Sequence, residues 1–293
     1  MSAFFAESKR MIASVLLALP LVLSGCATRS VVGDATQKTV ASSSACPRIV
    51  SQSPYLTLAL EWLDRGECIV GLSRYDRAFP ALPRTGGVLD PDQAAIAALY
   101  PDLIVSSNWA DQETMKAVTP EGARLLRLDG FGSMNDAEEM LRTLALESGA
   151  SAATREKITD FSRQWRSIAQ KLSQRQREHR QRALLVSTCM GNPFSFGRQH
   201  LIGDIFAQAG FEIVETAPKV RHLVNGQDIP DLETLIDKTR PDIIVAFSNE
   251  SAEYCRMIAP RAKANVIILD GAPFIHPGPG LLQAYESIQK AFD

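Results

Sequence analysis

The chain of 293 residues has few of the side chains from which metal sites and many catalytic sites are built. It has four histidines and five cysteines, and 7% of its residues are aromatic. The histidines do not pair at a metal-ligand spacing. The glycine-rich phosphate motifs, HExxH and GxSxG are also missing, and no nucleophile–base pair is recognisable. We therefore expect neither an enzyme nor a site for a bare divalent metal ion.

The chain also lacks an excess of charge of either sign. Its formal net charge is -2, which gives no reason to expect nucleic acid as a partner. Hydrophobic residues make up 45% and charged residues 22% of the chain, a balance that is typical of globular proteins. The length is sufficient for two domains.

The N-terminus carries a hydrophobic run, MIASVLLALPLVL, at residues 11–23. The run is too short for an ordinary membrane-spanning helix and is typical of a signal-peptide core. It leads into LSGC, which resembles the lipobox of bacterial lipoproteins, whose cysteine is lipidated and becomes the mature N-terminus. The resemblance implies a signal peptide over residues 1–25 and lipidation of Cys26. Small polar residues then predict a flexible tether over residues 26–45, with a reach of about 25 Å.

Short apolar runs alternate with helical stretches from residue 46 onward. The segments are RIVS, PYLTLALEWLDRG, CIVGLS, LDPDQAAIAALY, DLIVSS, ADQETMKAV and ARLLRLDG. Such alternation predicts an α/β fold with a mostly parallel sheet.

One phrase occurs twice in the chain. ALYPDLIVSSNW begins at residue 98, and KTRPDIIVAFSN begins at residue 238. Each is followed by a strand ending in LDG, 29 positions after Pro101 and 30 positions after Pro241. The repetition predicts two similar α/β lobes, at residues 46–150 and 182–293.

The segment between the predicted lobes, residues 151–181, contains neither glycine nor proline. Its apolar residues follow a helical spacing of 3, 4, 3 and 4 positions: Ile158, Phe161, Trp165, Ile168 and Leu172. This pattern predicts one long helix that joins the lobes.

Three stretches resemble the helical-backbone class of periplasmic substrate-binding proteins. They are RIVSQSPYLTLALEWL through GGVLDPDQAAIAALYPDLIV, GNPFSFGRQHLIGDIFAQAGF, and FIHPGPGLLQAYESIQKAF. The resemblance covers about residues 46–292. It implies two Rossmann-like lobes bridged by a long helix, a ligand cleft between them, and service to ABC importers of iron–siderophores, haem or cobalamin.

Ligands of parallel α/β sheets bind beyond the carboxyl ends of the strands. The loops at those ends offer aromatic faces for a macrocycle or catecholate and arginines for anionic oxygens. The candidate ligand-binding residues are Arg74, Tyr75, Arg77, Trp109, Phe194, Phe196, Arg198, Phe274 and His276. Core packing is the alternative for each aromatic residue, and His276 is either a haem or metal ligand or a plain loop residue.

Export permits disulfides. Cys46 and Cys68 each precede a strand of the first lobe, so parallel neighbouring strands would place them about 5 Å apart. We therefore predict a Cys46–Cys68 bridge. Cys189 and Cys255 both follow strands of the second lobe, which is compatible with a second bridge. Metal binding by the four cysteines is the alternative.

The sequence departs from the resembled family at the places of its permease-docking glutamates. Those places hold Ala94 and Thr234. The nearest acidic residues are Asp90, Asp92 and Glu233, which we take as docking candidates. Docking is therefore either shifted to these residues or absent.

The combined expectation is a monomeric, periplasmic, lipid-anchored protein. It would capture a large metal chelate, with iron–siderophore favoured, deliver it to an ABC importer, and need no covalent cofactor. The alternatives are cobalamin, haem, or a non-transport envelope lipoprotein that reuses the fold. Because Ala27 rather than aspartate follows Cys26, either membrane could carry the anchor.

Overall fold

The computed structural model describes residues 46–189, 192–247 and 264–292. The predicted signal peptide, Cys26 and the tether lie outside these residues. Cys255 lies outside them as well, so its pairing with Cys189 stays a prediction. No helix within the described ranges is long and apolar enough to cross a membrane.

The first lobe contains a parallel sheet of four strands. Its strands are β1 (Ile49–Ser51), β2 (Ile69–Leu72), β3 (Leu103–Ser107) and β4 (Arg124–Leu128), in the order β2-β1-β3-β4. Its helices are α1 (Pro54–Trp62), α2 (Gln93–Ala97), α3 (Gln112–Ala117) and α4 (Met134–Glu147). Every residue of β1 and β3 is buried, as expected where helices cover both faces of a parallel sheet.

The second lobe contains a mixed sheet of six strands. Its strands are β5 (Arg182–Cys189), β6 (Asn192–Phe196), β7 (Glu212–Ile213), β8 (Val220–His222), β9 (Ile243–Ala246) and β10 (Asn265–Ile268). The main order is β10-β9-β5-β6-β8, and β7 pairs with the start of β5. Among the described residues of this lobe, the helices are α6 (Leu201–Gln208), α7 (Leu232–Thr239) and α8 (Leu281–Phe292).

Strands β9, β10 and β7 run parallel to their neighbours, whereas β6 is antiparallel to both β5 and β8. Two residues separate β5 from β6 in the sequence, and only antiparallel strands can be joined by so short a connection. The α/β prediction with two lobes is confirmed, and the second sheet adds an antiparallel part that the strand pattern did not reveal.

The repeated phrase corresponds to a repeated structure. Asp102 accepts a hydrogen bond from the backbone N–H of Arg48 at 2.7 Å, and Asp242 accepts one from the backbone N–H of Arg182 at 2.8 Å. In each lobe the aspartate after the proline therefore holds the start of the first strand of that lobe beside its neighbour.

The two arginines have matching roles. The Arg48 guanidinium donates to the carbonyls of Leu99 and Tyr100, and the Arg182 guanidinium donates to those of Thr239 and Arg240. The residue before each proline is left-handed, with φ 46° at Tyr100 and φ 45° at Arg240. Both prolines thus follow the same sharp turn, which arginine donors stabilise from the neighbouring strand.

Helix α5 (Ala152–Arg175) has 24 residues and a length of about 36 Å. It begins at Ser151, whose side chain accepts from the N–H of Thr154. Near this end Lys157 pairs with Asp64 at 2.7 Å, and further along Trp165 stacks on Tyr285 of α8 at 6.1 Å. The helix ends before residue 181 because no apolar residue follows Leu172 on the buried face.

Cys46 and Cys68 form a disulfide with a Cα–Cα distance of 5.4 Å. They precede the parallel neighbours β1 and β2, in which Ile49 pairs with Ile69. The bridge that we predict from the sequence is therefore present in the structure.

Candidate ligand-binding cleft

Two exposed aromatic side chains stand at the carboxyl edge of the first sheet. Tyr75 follows β2 and is 64% exposed, and Trp109 follows β3 and is 70% exposed. Strands β2 and β3 flank β1, so the two loops are separated by about 10 Å, which is two strand spacings. Their position beyond the carboxyl ends of parallel strands, where ligands of α/β sheets bind, makes these two rings candidates for ligand contact.

The loop that carries Trp109 is fixed by hydrogen bonds. Arg127 of β4 donates to the carbonyls of Asn108 and Ala110, at 3.0 and 2.6 Å. The Asn108 amide donates to Asp129 at 2.7 Å, and the N–H of Trp109 donates to the Ser107 hydroxyl at 3.1 Å. The backbone of Trp109 is thus held while its ring faces solvent.

The loop that carries Tyr75 is also held in place. Arg74 forms an ion pair with Asp90 at 2.5 Å and lies 6.0 Å from the centre of the Tyr75 ring. Asp76 is buried and accepts from the N–H of Ala78 at 2.9 Å. Arg77 is exposed beside it. The first-lobe candidates Arg74, Tyr75 and Arg77 therefore share one exposed loop.

A continuous line of four rings connects the lobes. Trp109 stacks on Phe131 at 5.1 Å, Phe131 meets the edge of Tyr55 at 5.3 Å, and Tyr55 stacks on His276 at 5.7 Å. His276 belongs to the second lobe and the other three rings to the first. Tyr55 and Phe131 were not among the sequence candidates. The signal that could have identified them is their place directly after β1 and β4.

Burial fixes the protonation states at the second-lobe end of this line. It lowers the pKa of His276, so the imidazole is neutral at physiological pH. Burial likewise raises the pKa of Tyr55 to about 12, and the Tyr55 hydroxyl donates to the carbonyl of Leu128 at 3.3 Å. The imidazole of His276 and the hydroxyl of Tyr55 are therefore both uncharged polar groups.

The second-lobe aromatic candidates lie deeper than those of the first lobe. Phe196 is 6% exposed and Phe274 is 1% exposed, and both pack against Phe247 in the core. Phe194 is half-buried between Phe196 and His222. Phe196 and Phe274, which we take as ligand-binding candidates from the sequence, are therefore core residues in this structure. Core packing is the alternative that the sequence leaves open for them.

Arg198 lines a cavity of about 610 Å³ between the lobes. Second-lobe residues supply Arg198 and Lys219, and first-lobe residues include Asp136 and Glu139. The first lobe also supplies Arg127 and Asp129, so side chains of both charges line the cavity. Lys219 also acts on the neighbouring His200, whose pKa burial and the nearby positive charge lower to about 4.

The acidic docking candidates already have partners within their own lobes. Asp90 pairs with Arg74, and Asp92 caps α2 by accepting from the N–H of Ala95 at 3.0 Å. Glu233 lies in the first turn of α7, where a negative charge interacts favourably with the helix dipole. Asp92 therefore has a structural role in addition to any docking role.

One trio of potential metal ligands occurs among the described residues. The ligand atoms of Cys46, Glu67 and Cys68 lie within 4.8 Å of one another. Because both sulfurs are joined in the disulfide, no thiolate is available to a metal ion there.

Comparison with known proteins identifies the family. The family model described as "Periplasmic binding protein" matches residues 60–259. The chain belongs to this family, whose members bind substrates for transport and are not enzymes. No curated protein matches the chain.

Solved structures share the fold at low sequence identity. The periplasmic haem-binding protein RhuT from Roseiflexus sp. RS-1 is 18% identical, with a TM-score of 0.62, over 84% of this chain and 97% of that one. The vitamin B12-binding protein BtuF of Vibrio cholerae is 16% identical, with a TM-score of 0.67, over 84% and 96%. The iron-uptake substrate-binding protein PiuA from Streptococcus pneumoniae is 19% identical, with a TM-score of 0.63, over 84% and 93%.

Proposed function

We propose that this protein captures a large metal chelate in the cleft between its two lobes. The observation that carries the proposal is the pair of exposed rings, Tyr75 and Trp109, on loops that follow two strands about 10 Å apart in the first sheet. A flat or ring-rich ligand is large enough to contact both loops at once. A small ion is not, and the cleft offers no cluster of ligand atoms among the described residues to hold one.

The favoured ligand is a ferric siderophore. Arg74 and Arg77 are exposed on the loop of Tyr75, and Arg198 is exposed in the second lobe, where it lines the cavity between the lobes. Guanidinium groups suit the anionic oxygens of such chelates. Cobalamin and haem are the alternatives, and the names of the structural relatives include haem binding, vitamin B12 binding and iron uptake.

The proposal also includes anchoring in the envelope. Cys26 would carry lipid at the end of the signal peptide, and residues 26–45 would tether the lobes to a membrane facing the periplasm. Cys26→Ser should release the protein into the soluble fraction. Membrane association that persists in this variant would contradict lipid anchoring without affecting the ligand proposal.

Binding is tested by titration of the purified protein with haemin, cyanocobalamin, and ferric catecholate and hydroxamate siderophores. One of these should quench intrinsic fluorescence at a saturable site. Trp109→Ala should weaken its binding by about 1–3 kcal/mol, the usual range for a truncated hot spot. Thermal stability should barely change, because the ring is mostly exposed.

Tyr100→Ala is the matched control. Tyr100 is 80% exposed but precedes β3, so it lies at the opposite edge of the same sheet. Its removal should leave affinity unchanged. Equal effects of Trp109→Ala and Tyr100→Ala, or no chelate bound more tightly than about 10 μM, would favour the non-transport alternative.

Delivery to an ABC permease is tested at the second lobe. Glu233→Lys should reduce uptake while chelate affinity stays the same, because a charge at an interface rim acts mainly on association. Asp92→Lys is a poor probe, since it also removes the cap of α2. Asp90→Asn is a poor probe as well, since it breaks the ion pair of Arg74, which is a proposed ligand-binding residue. Uptake that is unchanged in Glu233→Lys would argue against docking through this part of the second lobe.

A further inference from the structure

The orientation of the Trp109 ring depends on Phe131. The Phe131 ring lies 5.1 Å from Trp109 at an interplanar angle of 30° and is the described ring closest to it. The N–H of Phe131 donates to Asp129 at 2.9 Å, and the other oxygen of Asp129 accepts from Asn108, the residue before Trp109. Ring and backbone contacts therefore join the segment after β4 to the loop after β3.

The same segment is bonded to the second lobe. The carbonyl of Phe131 accepts from the N–H of Leu201, the first residue of α6, at 2.6 Å. Three residues further on, the N–H of Met134 donates to Asp204 of α6 at 2.9 Å. Phe131 thus lies between a ring of the first lobe and the backbone of the second.

The preceding residue allows this segment little independent movement. A Cβ atom added at Gly130 would lie 2.8 Å from the side chain of Pro277, so the two lobes approach closely here. A shift of the second lobe at this point must therefore move the backbone that carries Phe131.

We propose that Phe131 is a positioning residue that couples the contact between the lobes to the orientation of Trp109. A change in the lobe contact shifts Phe131, and the ring stacked on it follows. The effect on ligand affinity rests on the proposed function, whereas the effect on the ring is measurable without any ligand.

The coupling is tested by removing a single N–H. Leu201→Pro deletes the donor to the Phe131 carbonyl, and the site accepts proline well. It is the first position of a helix, and the preceding His200 has φ -108° and ψ 145°, a conformation that proline favours before it. Leu201→Val is the matched control, because it shortens the buried side chain but keeps the N–H.

The measurement is acrylamide quenching of the Trp109 emission, obtained as the difference between each protein and its Trp109→Phe counterpart. Leu201→Pro should raise the quenching constant of Trp109 towards the value for a fully exposed ring, about 1.4-fold, because the residue is already 70% exposed and its ring loses a fixed stacking partner. Leu201→Val should leave it within error of the unmodified protein. Equal constants in the two variants would overturn the proposal, whatever the ligand proves to be.

A second test uses Phe131→Leu, with Phe292→Leu as its control. Phe292 is also half-buried and packs on one ring, Phe211 at 4.8 Å, in the second lobe. Phe131→Leu should weaken chelate binding by about tenfold and should add nothing when Trp109 is already alanine. An additive effect would show that Phe131 acts independently of Trp109 and would contradict positioning. A change in quenching without any chelate binding would preserve the coupling and refute the proposed function alone.

Discussion

Removal of the Cys46–Cys68 bridge should destabilise the first lobe by an amount that follows from the structure. The cysteines are 22 positions apart, and closing a loop of that length removes about 3.4 kcal/mol of chain entropy from the unfolded state. The double variant Cys46→Ala and Cys68→Ala is the suitable perturbation. Cys68 is buried, and alanine there avoids placing a new polar group in the core.

Urea unfolding measures the loss. With a urea dependence of about 2–3 kcal/mol per molar, the midpoint should fall by about 1–2 M. The unmodified protein unfolded in the presence of a reductant should match the double variant, because both lack the cross-link. A midpoint shift below about 0.3 M, or free thiols at both positions in protein from the periplasm, would refute the reasoning.

Three further predictions concern single side chains, and each is checked by urea unfolding. Asp102→Ala and Asp242→Ala should each lower the free energy of unfolding by about 1 kcal/mol, because each variant loses an equivalent exposed hydrogen bond to a backbone N–H. Losses that differ severalfold between the two variants would contradict the structural repeat. Burial alone would raise the pKa of Glu215, but hydrogen bonds, chiefly from Arg221, outweigh it and lower that pKa. The ionised Glu215 therefore stabilises the fold above pH 4.5, and this stabilisation is lost at lower pH. Glu215→Gln should make the free energy of unfolding less dependent on pH in that acidic range. Burial of His200 favours its neutral form, so stability should decline as the pH falls from 6.5 towards about 4. His200→Asn, which keeps a capping acceptor but cannot titrate, should reduce that slope, and the buried His276 accounts for part of the decline that persists.

Much of the first lobe could be predicted from the sequence because its signals are local. Apolar runs bounded by proline and glycine mark the strands, and parallel neighbours place Cys46 beside Cys68. The repeated proline–aspartate pair could be recognised because each aspartate has the same task, which is to bind the first strand of its lobe. Local chemistry of this kind does not depend on how the lobes meet.

The candidate site was harder to predict because it depends on tertiary neighbours. Phe196 and Phe274 follow the expected pattern of loop aromatics, yet the antiparallel β6 and a short helical turn at Ala272–Phe274 place them in the core. Phe131 follows LDG without a distinctive motif, and its importance comes from Trp109 and Leu201, which are distant in sequence. Residue type alone does not distinguish a ring in the core from one in a cleft.

Native mass spectrometry of the protein purified from its own host, together with its visible absorption spectrum, tests the central claim most directly. We expect a mass increment that corresponds to one metal chelate, with an absorption band that distinguishes ferric siderophore, corrin and haem. The increment should be much weaker in Trp109→Ala and unchanged in Tyr100→Ala. A native protein that carries no chelate and binds none when one is added, or an equal increment in both variants, would contradict the account.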